Sequence, residues 1–222
     1  MIKAILFDLD GTFADTSPDL SYALNCMRSA RSMPPIEESQ TRAFTSSGAR
    51  GLIAAGLGIS SEHPEYPLLR DEFLDLYEKN LCRYSRLFDG MSTLIDNLES
   101  THFVWGIVTN KASRFALPLM KYLGYDHRAA CIVCGDTTPF TKPHPEPLLA
   151  AARSIGIPPN QCVYLGDDKR DIQAGKAALM TTIAVSYGYL NDSDPALWQA
   201  DHIIDHPEEL VHWLKNQKRL FC

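Results

Sequence analysis

Short runs of apolar residues alternate along most of the chain with longer segments of helical periodicity. Each run has three to five apolar residues with little polar interruption, which is typical of strands buried on both faces of a parallel sheet. Between most of these runs, apolar residues recur at a spacing of three and four positions and predict amphipathic helices. The alternation predicts an α/β fold with a doubly wound parallel sheet. The runs cover residues 4–7, 104–108, 131–134, 163–165 and 182–185.

Residues 14–86 break this alternation and carry helical patterns without an intervening strand. Ser17 followed by Pro18 predicts a helix start with Ser17 as the N-cap. The helical spacing that begins there stops at Pro34, and a second long helix follows it with apolar residues at positions 69, 73, 76, 77 and 81. The small, polar stretch 45–51 lies between these helices and predicts a flexible turn.

The break in the pattern also predicts two domains. A chain of 222 residues is long enough for one large domain or two modest ones. We expect an α/β core made of residues 1–13 and 87–222, and a helical cap made of residues 14–86. The connections between them should act as hinges near residues 13–15 and 87–90.

Composition excludes several classes of partner. The formal net charge of −6 argues against a nucleic-acid partner, which needs a basic surface. No stretch approaches the ~18 apolar residues of a membrane span. A strand pattern begins within the first two residues and leaves no room for a signal peptide, so we expect a cytoplasmic protein with no membrane partner.

Of the six cysteines, Cys131 and Cys134 have the spacing of a metal knuckle or a redox pair. They lie in a predicted strand, however, and residues three apart on a strand point to opposite faces. No second pair of cysteines or matching pair of histidines accompanies them. We therefore expect reduced thiols that pack as small hydrophobic side chains.

Polar side chains gather at the predicted carboxyl ends of the strands. Because parallel strands end at one edge of the sheet, residues far apart in sequence should share one pocket there. Glycine directly after the first acidic pair lets the chain turn at this edge. The residues are Asp8 and Asp10, then Thr109 and Asn110, then Lys142, and finally Asp167, Asp168 and Asp171.

The negative charge of such a pocket favours the binding of a cation. At an effective dielectric near 20, two like charges about 4 Å apart repel by about 4 kcal/mol, so clustered aspartates either change protonation or bind a cation. Oxygen ligands without histidine or cysteine favour Mg²⁺ over Zn²⁺. Thr109 offers a hydroxyl and Lys142 a positive charge, both suited to a phosphate oxygen. Together these groups indicate phosphoryl transfer.

In order along the chain, these motifs resemble the four motifs of the haloacid dehalogenase superfamily, and residues 14–86 resemble its C1 cap. The resemblance implies that Asp8 is the nucleophile and Asp10 the general acid/base. It implies Mg²⁺ held by Asp8, the Asp10 carbonyl and Asp167, with Asp168 and Asp171 further from the ion. Thr109, Asn110 and Lys142 would then bind the phosphate. The motifs are Asp8-Leu9-Asp10-Gly11-Thr12, Val108-Thr109-Asn110, Lys142-Pro143 and Gly166-Asp167-Asp168.

Within that superfamily, the chain resembles phosphatases that act on small acidic esters. The general pattern is similar to the phosphoglycolate phosphatase group, and the stretches 105–111, 142–147 and 187–189 are similar to N-acetylmuramic acid 6-phosphate phosphatases of cell-wall recycling. The resemblance implies a small carboxylate-bearing phosphate ester as substrate. Arg50, in the predicted cap turn, is the candidate that binds this carboxylate. Tyr187 and Tyr189 either line the pocket edge or pack in the core.

Two other functions remain open at this point. A phosphomutase of the same superfamily would use the same acidic pair. A non-enzymatic receiver domain, which serves as a phospho-switch, also combines acidic residues, Mg²⁺, a hydroxyl and a lysine on a doubly wound sheet. The apolar faces of the cap allow either a monomer or a homodimer.

Overall fold

A parallel sheet forms the centre of the computed structural model, which describes residues 1–190 and 193–219. The strand order across the sheet begins with the fifth strand of the chain and continues with the fourth, first, sixth, seventh and eighth. All of its pairings are parallel. The strands of the chain are β1 (Ala4–Phe7), β2 (Ala14–Asp15), β3 (Arg86–Leu87), β4 (Val104–Val108), β5 (Ile132–Val133), β6 (Cys162–Gly166), β7 (Thr181–Val185) and β8 (His202–Ile204).

The first strand lies in the middle of the sheet, as its uninterrupted apolar sequence requires. Ala4 is paired with Val104 of β4 on one side and with Cys162 of β6 on the other. Side chains alternate between the two faces of a strand. Accordingly, Ile5 and Phe7 belong to one hydrophobic core cluster, whereas Ala4 and Leu6 belong to another.

Helices cover both faces of the sheet, which confirms the doubly wound α/β fold. The face that carries Ile5 and Phe7 packs against the helices Met91–Ser100, Ser113–Leu123 and Glu209–Arg219, and the opposite face packs against the helices Glu146–Ser154 and Lys169–Ala177. The helices are α1 (Ser17–Ala30), α2 (Glu38–Thr41), α3 (Gly48–Leu57), α4 (Tyr66–Lys79), α5 (Met91–Ser100), α6 (Ser113–Leu123), α7 (Glu146–Ser154), α8 (Lys169–Ala177) and α9 (Glu209–Arg219). Within the described ranges, no helix is both long enough and apolar enough to cross a membrane.

Helices α1 to α4 follow β1 in the chain and precede the rest of the sheet, and together with the segments that join them they are called the helical insert. Their apolar faces make a hydrophobic cluster of their own, with Leu24, Ile53 and Phe73 fully buried in it. One residue of that cluster, Phe115, comes from α6. The two ends of the insert meet in a short antiparallel ribbon in which β2 pairs with β3.

The predicted flexible turn at residues 45–51 is wrong. Arg42–Ser47 is a 3-10 helix and α3 follows it directly. Gly48 has a φ of +60°, which lets the chain change direction between the two helices. The first turns of α3 are stabilised because Leu52 and Ile53 are completely buried, so tertiary packing overrides the weak helix propensity of a Ser-Ser-Gly stretch.

Smaller differences concern strand and helix ends. The strand predicted at residues 131–134 is only Ile132–Val133, and β8 is an additional edge strand. Two of its three residues are exposed, so it lacks the apolar run used to find the others. The N-cap of α1 is Thr16, one residue before the predicted Ser17.

Cys131 and Cys134 behave as the strand argument predicts. Cys131 packs against the core cluster on one face of the sheet and Cys134 belongs to the cluster on the other. Burial raises the pKa of the Cys134 thiol to about 11, which keeps it neutral and unreactive. The sixth cysteine, Cys222, lies outside the described residues.

Candidate active site

Three neighbouring strands end at the same place and deliver the candidate residues to one cavity. Asp8 follows β1, Thr109 follows β4 and Asp167 follows β6, so the order of the strands brings these residues side by side. The cavity has a volume of about 390 Å³ and its opposite wall belongs to the helical insert. Its lining includes Asp8, Asp10, Thr109, Asn110, Lys142, Asp167, Asp168 and Asp171.

Lys142 is the centre of a buried network of charges. Its Nζ donates to Asp8 Oδ1 at 2.6 Å and lies 2.8 Å from Asp171 Oδ1. It also donates to the Tyr164 hydroxyl at 2.8 Å and to the Val108 carbonyl at 3.0 Å. Burial opposes the charge on Lys142, but Asp171 and Asp8 outweigh this cost and raise its pKa above the ordinary value. The ammonium group is therefore charged and held beside Asp8.

Asp8, Asp167 and Asp171 form the acidic cluster of the site. One carboxylate oxygen from each lies within 4.8 Å of the other two, and all three residues are buried. Burial is the main cause that raises the pKa of Asp8 to about 7, and it raises the pKa of Asp167 well above its ordinary value. Three carboxyl groups against one ammonium leave an excess of negative charge, which a cation would relieve.

Asp167 is fixed on both of its oxygens. Its Oδ1 accepts from the Thr12 hydroxyl at 3.1 Å, and its Oδ2 accepts from the Tyr189 amide at 2.8 Å. The chain around it approaches so closely that a Cβ on Gly11 would lie 2.1 Å from Asp167 Oδ2. Gly11 also has a φ of +87°, so both sterics and backbone conformation require glycine after Asp10.

Asp10 has a set of partners separate from those of Asp8. Its Oδ1 accepts from Lys111 Nζ at 2.9 Å and from the Thr16 hydroxyl at 2.5 Å. Lys111 lies between Asp10 and the ring of Tyr77, which is 4.6 Å from Nζ. Burial opposes the charge on Lys111, yet Asp10 raises its pKa above the ordinary value. The two aspartates of the motif therefore lie in different electrostatic environments.

Thr109 and Asn110 lie in the cavity wall and also shape the loops around it. The Thr109 hydroxyl accepts from the Lys111 amide at 3.1 Å. Asn110 binds the backbone of Lys142 twice, accepting from its amide and donating to its carbonyl, both at 2.9 Å. This amide pair holds Lys142 at the end of β4, which explains how a residue on a distant loop reaches Asp8.

Asp168 and Asp171 have different roles in the structure. Asp168 is the N-cap of α8 and accepts from the Arg170 amide at 2.8 Å, while Asp171 accepts from the Asp168 amide at 3.1 Å. This capping box orients Asp171 toward Lys142. Asp168 is instead paired with the Arg170 guanidinium. The acidic cluster thus contains Asp171, which the sequence placed further from the ion, and does not contain Asp168.

The arginine that the sequence singled out lies elsewhere. Arg50 is an exposed residue of α3 and is not part of the described cavity lining, although its neighbours Gly48 and Ala49 are. The arginines of the lining are Arg114 and Arg170. Binding of a substrate carboxylate by Arg50 stays a prediction without a contact that supports it.

Several residues of the site were not assigned a role from the sequence. Lys111 belongs to the polar run after β4, so its position was a usable signal. Thr12 and Thr16 lie close to the acidic pair, but which acid each hydroxyl binds depends on the turn after Asp10. Tyr164 belongs to β6, and its place in an apolar strand predicts a core residue. Only tertiary packing brings its hydroxyl to the site. Tyr187 and Tyr189, for which the sequence left the pocket edge and the core open, are not in the described lining of this cavity; they pack beside the site, with the Tyr187 hydroxyl donating to the Thr12 carbonyl at 3.1 Å.

Comparison with known proteins agrees with this geometry. Residues 5–185 match the family model of haloacid dehalogenase-like hydrolases. The chain belongs to this family. An N-acetylmuramic acid 6-phosphate phosphatase of Pseudomonas aeruginosa is 46% identical over 211 residues, which cover 95% of this chain and 93% of that protein.

Other similar proteins are named phosphoglycolate phosphatases. A phosphoglycolate phosphatase of Xanthomonas campestris is 43% identical over 209 residues, covering 94% of each chain. A crystal structure of "a predicted phosphoglycolate phosphatase" from Haemophilus somnus superposes with a TM-score of 0.84 at 26% identity, covering 96% of this chain and 98% of that one. The family and its fold are therefore established for this hydrolase over nearly its whole length.

Proposed function

We propose that this hydrolase is a Mg²⁺-dependent phosphatase that cleaves a small, carboxylate-bearing phosphate monoester through an aspartyl-phosphate intermediate. The observation that carries the proposal is the contact of Lys142 Nζ with Asp8 Oδ1 at 2.6 Å inside a buried acidic cluster. A lysine in that position attracts a phosphate to the very carboxylate that would attack it. The names of the relatives, one acting on N-acetylmuramic acid 6-phosphate and another on phosphoglycolate, support the substrate class.

The acidic cluster fits a divalent cation of the hard type. Its donors are carboxylate oxygens, and the described cluster contains neither histidine nor cysteine, which favours Mg²⁺. Asp8 and Asp167 would hold the ion together with the main-chain carbonyl of Asp10, and Asp171 lies close enough to contribute. When bound, the ion would neutralise charge on the phosphate oxygens and on Asp8.

The chain's own residues supply the rest of the proposed chemistry. Asp8 attacks the phosphorus atom and forms an acyl phosphate as the bond to the leaving alcohol breaks. Lys142 and the Thr109 hydroxyl bind the phosphoryl oxygens. Asp10 gives its proton to the leaving oxygen and later takes a proton from the water that hydrolyses the intermediate. Its bonds to Lys111 and Thr16 orient the carboxyl group for both transfers.

The helical insert completes the cavity on the side away from the sheet, and we propose that residues 14–86 form the cap domain of this enzyme. Its contribution to the cavity is largely apolar and includes Leu20, Phe73 and Leu74. A cap over the cavity would limit the access of water to the reacting phosphate. The cap, which supplies the wall opposite the catalytic carboxylates, would therefore select the substrate.

The test is phosphate release with Mg²⁺ from p-nitrophenyl phosphate and from a panel of sugar phosphates and acidic esters. The wild-type protein should turn over many times, and Asp8→Asn should lower kcat by at least about a thousandfold because the nucleophile is gone. Asp75→Asn, an exposed aspartate of α4, is the matched control and should keep the wild-type rate. Wild-type rates in Asp8→Asn would refute the assignment of the nucleophile.

The same assay separates the alternatives. A single stoichiometric phosphorylation without turnover would indicate a receiver-like phospho-switch. Isomerisation of a sugar phosphate without phosphate release would indicate a phosphomutase. Activity that survives complete removal of divalent cations by EDTA would contradict the proposed metal dependence.

A further inference from the structure

We propose that Arg114, the second residue of α6, is a specificity-determining residue that binds the carboxylate of the substrate. This inference rests on the proposed function, in which the substrate is an acidic phosphate ester. It replaces Arg50, the arginine favoured by the sequence, with one that lines the cavity.

The first argument is that the other cations of the described cavity lining already have strong partners. Lys142 is bound by Asp8 and Asp171, and Lys111 is bound by Asp10. Arg170 makes two bonds of 2.8 Å to Asp168 and donates to the Ser46 carbonyl at 2.7 Å. Lys142 is assigned to the phosphate, and Lys111 and Arg170 are each held by an aspartate, so none of these three groups is left for a substrate carboxylate.

Arg114 is different because its guanidinium is weakly engaged. Among the described residues, its ion-pair partner is Glu78 of α4, and the Nη1–Oε2 distance is 3.9 Å. That distance is too long for a hydrogen bond. Both side chains are about half exposed, at 48% and 49%, so water screens the pair and its strength is small. A substrate carboxylate would meet donors that are not already committed.

The position of Arg114 in its helix also calls for an explanation. A positive side chain in the first turn of a helix is opposed by the helix dipole, so Arg114 does not serve the stability of α6. The guanidinium lies 4.4 Å from the ring centroid of Phe115, and the lining nearby contains Ala112 and Leu74. A substrate that fills the cavity would displace water from around the guanidinium, and the lower local dielectric would then strengthen the new ion pair. A planar guanidinium binds a carboxylate through two parallel hydrogen bonds.

The experiment compares two substrates that differ mainly in the carboxylate. N-acetylmuramic acid 6-phosphate carries a lactyl group, with its carboxylate, that N-acetylglucosamine 6-phosphate lacks. Phosphoglycolate has a carboxylate where 2-hydroxyethyl phosphate has a hydroxymethyl group. The quantity measured is the ratio of kcat/KM for the ester with the carboxylate to that for the ester without it. Arg114→Gln should lower this ratio about 10- to 100-fold, mainly through KM, because one charge-assisted contact is lost. Arg114→Lys should retain part of the preference.

Two arginines of the helical insert provide the comparison. Arg70→Gln removes an exposed arginine of α4 that is paired with Asp71 and should leave the ratio unchanged. Arg50→Gln tests the arginine selected from the sequence and should also leave it unchanged. Circular dichroism melts verify that each variant folds.

The outcomes are distinct. An unchanged ratio in Arg114→Gln overturns the inference, as does a ratio that falls only in Arg50→Gln. A wild-type enzyme that releases phosphate from all esters with no preference for the acidic ones also overturns it, while the phosphatase chemistry stands. Absence of phosphate release from every ester refutes the proposed function and the inference with it.

Discussion

At the scale of single residues, the two aspartates of the first motif differ in their partners. Asp8 shares Lys142 with Asp171, whereas Asp10 is paired with Lys111 and Thr16. Asp8 therefore lies in a region with excess negative charge, and the charge on Asp10 is balanced. This difference matches the proposed roles, because a metal-binding nucleophile benefits from the excess charge and a proton carrier needs a fixed orientation.

A pH dependence of Mg²⁺ binding follows from the environment of Asp8. Burial raises the pKa of Asp8 to about 7, so the carboxyl group binds a proton below this pH and is ionised above it. A protonated carboxyl group is a poor ligand, and protons should therefore compete with the cation. We expect the apparent Mg²⁺ affinity to fall as the pH is lowered from 8 to 6, by up to about tenfold per pH unit for each ligand carboxyl group that binds a proton. Isothermal titration calorimetry between pH 6 and 8 measures it.

Asp168→Asn is the control for this experiment. Asp168 lies outside the acidic cluster and its pKa is lowered, with the Arg170 bonds outweighing the effect of burial. Asparagine is also a good N-cap for α8, so this variant should keep the same pH slope. An Mg²⁺ affinity that does not change between pH 6 and 8 in the wild-type protein would contradict the prediction.

At the scale of elements, the start of α1 depends on a side chain far away in sequence. The Tyr189 hydroxyl accepts from the amides of Thr16 and Ser17 at 2.7 and 2.9 Å and donates to Asp15 at 2.8 Å. The Thr16 hydroxyl, which would ordinarily cap the helix, is bound to Asp10 instead. A tyrosine from the loop after β7 thus replaces the local cap and ties the beginning of the helical insert to the sheet.

Tyr189→Phe should destabilise the protein by about 1–3 kcal/mol, because two buried donors and a carboxylate lose their partner while the ring stays. For a protein of this size, that change lowers Tm by about 3–10 °C. Tyr187→Phe removes a hydroxyl that donates to the Thr12 carbonyl, its one hydrogen bond within the described ranges, and should lower the stability less. Thermal unfolding followed by circular dichroism compares the two. A larger loss of stability in Tyr187→Phe than in Tyr189→Phe would show that the Tyr189 hydroxyl does not cap α1.

At the scale of the whole molecule, polar contacts join the helical insert to the sheet across the cavity. Arg170 Nη2 donates to the Ser46 carbonyl at 2.7 Å, and the Ser46 hydroxyl donates to the Tyr189 carbonyl at 3.2 Å. Both contacts involve the 3-10 helix Arg42–Ser47. Loss of one of these contacts should therefore increase local opening of this 3-10 helix before it affects the rest of the insert.

Arg170→Gln should accelerate amide exchange in the 3-10 helix Arg42–Ser47 by about 5- to 30-fold, because a charge-assisted hydrogen bond that opposes local opening is lost. Hydrogen–deuterium exchange with peptide resolution measures this rate. The control is Arg31→Gln, which removes an exposed ion pair with Glu72 inside the insert and does not cross the cavity. Equal exchange in Arg170→Gln and the wild-type protein would mean that this contact does not hold the insert in place.

Local patterns were sufficient for the central strands of the sheet and for the polar residues that gather at their carboxyl ends. Residues 4–7 and 104–108 were predicted with their observed ends, because a central parallel strand is apolar without interruption. In a parallel sheet the carboxyl ends of the strands lie at one edge, so the strand ends that carry Asp8, Thr109 and Asp167 must lie close together. The edge strand β8 and the 3-10 helix Arg42–Ser47 were not predicted, because partly exposed elements have no strong periodicity.

What the sequence by itself determined is the α/β fold, the acidic motif and the lysine beside it, since these follow from periodicity and from residues adjacent to strand ends. Only the tertiary structure decided which partner each charge has. Asp171 rather than Asp168 joins the acidic cluster, Lys111 rather than Lys142 holds Asp10, and Arg114 rather than Arg50 lines the cavity. The physical reason is that charge pairing depends on distances of a few ångströms between residues as far as 134 positions apart, and no local pattern encodes those distances.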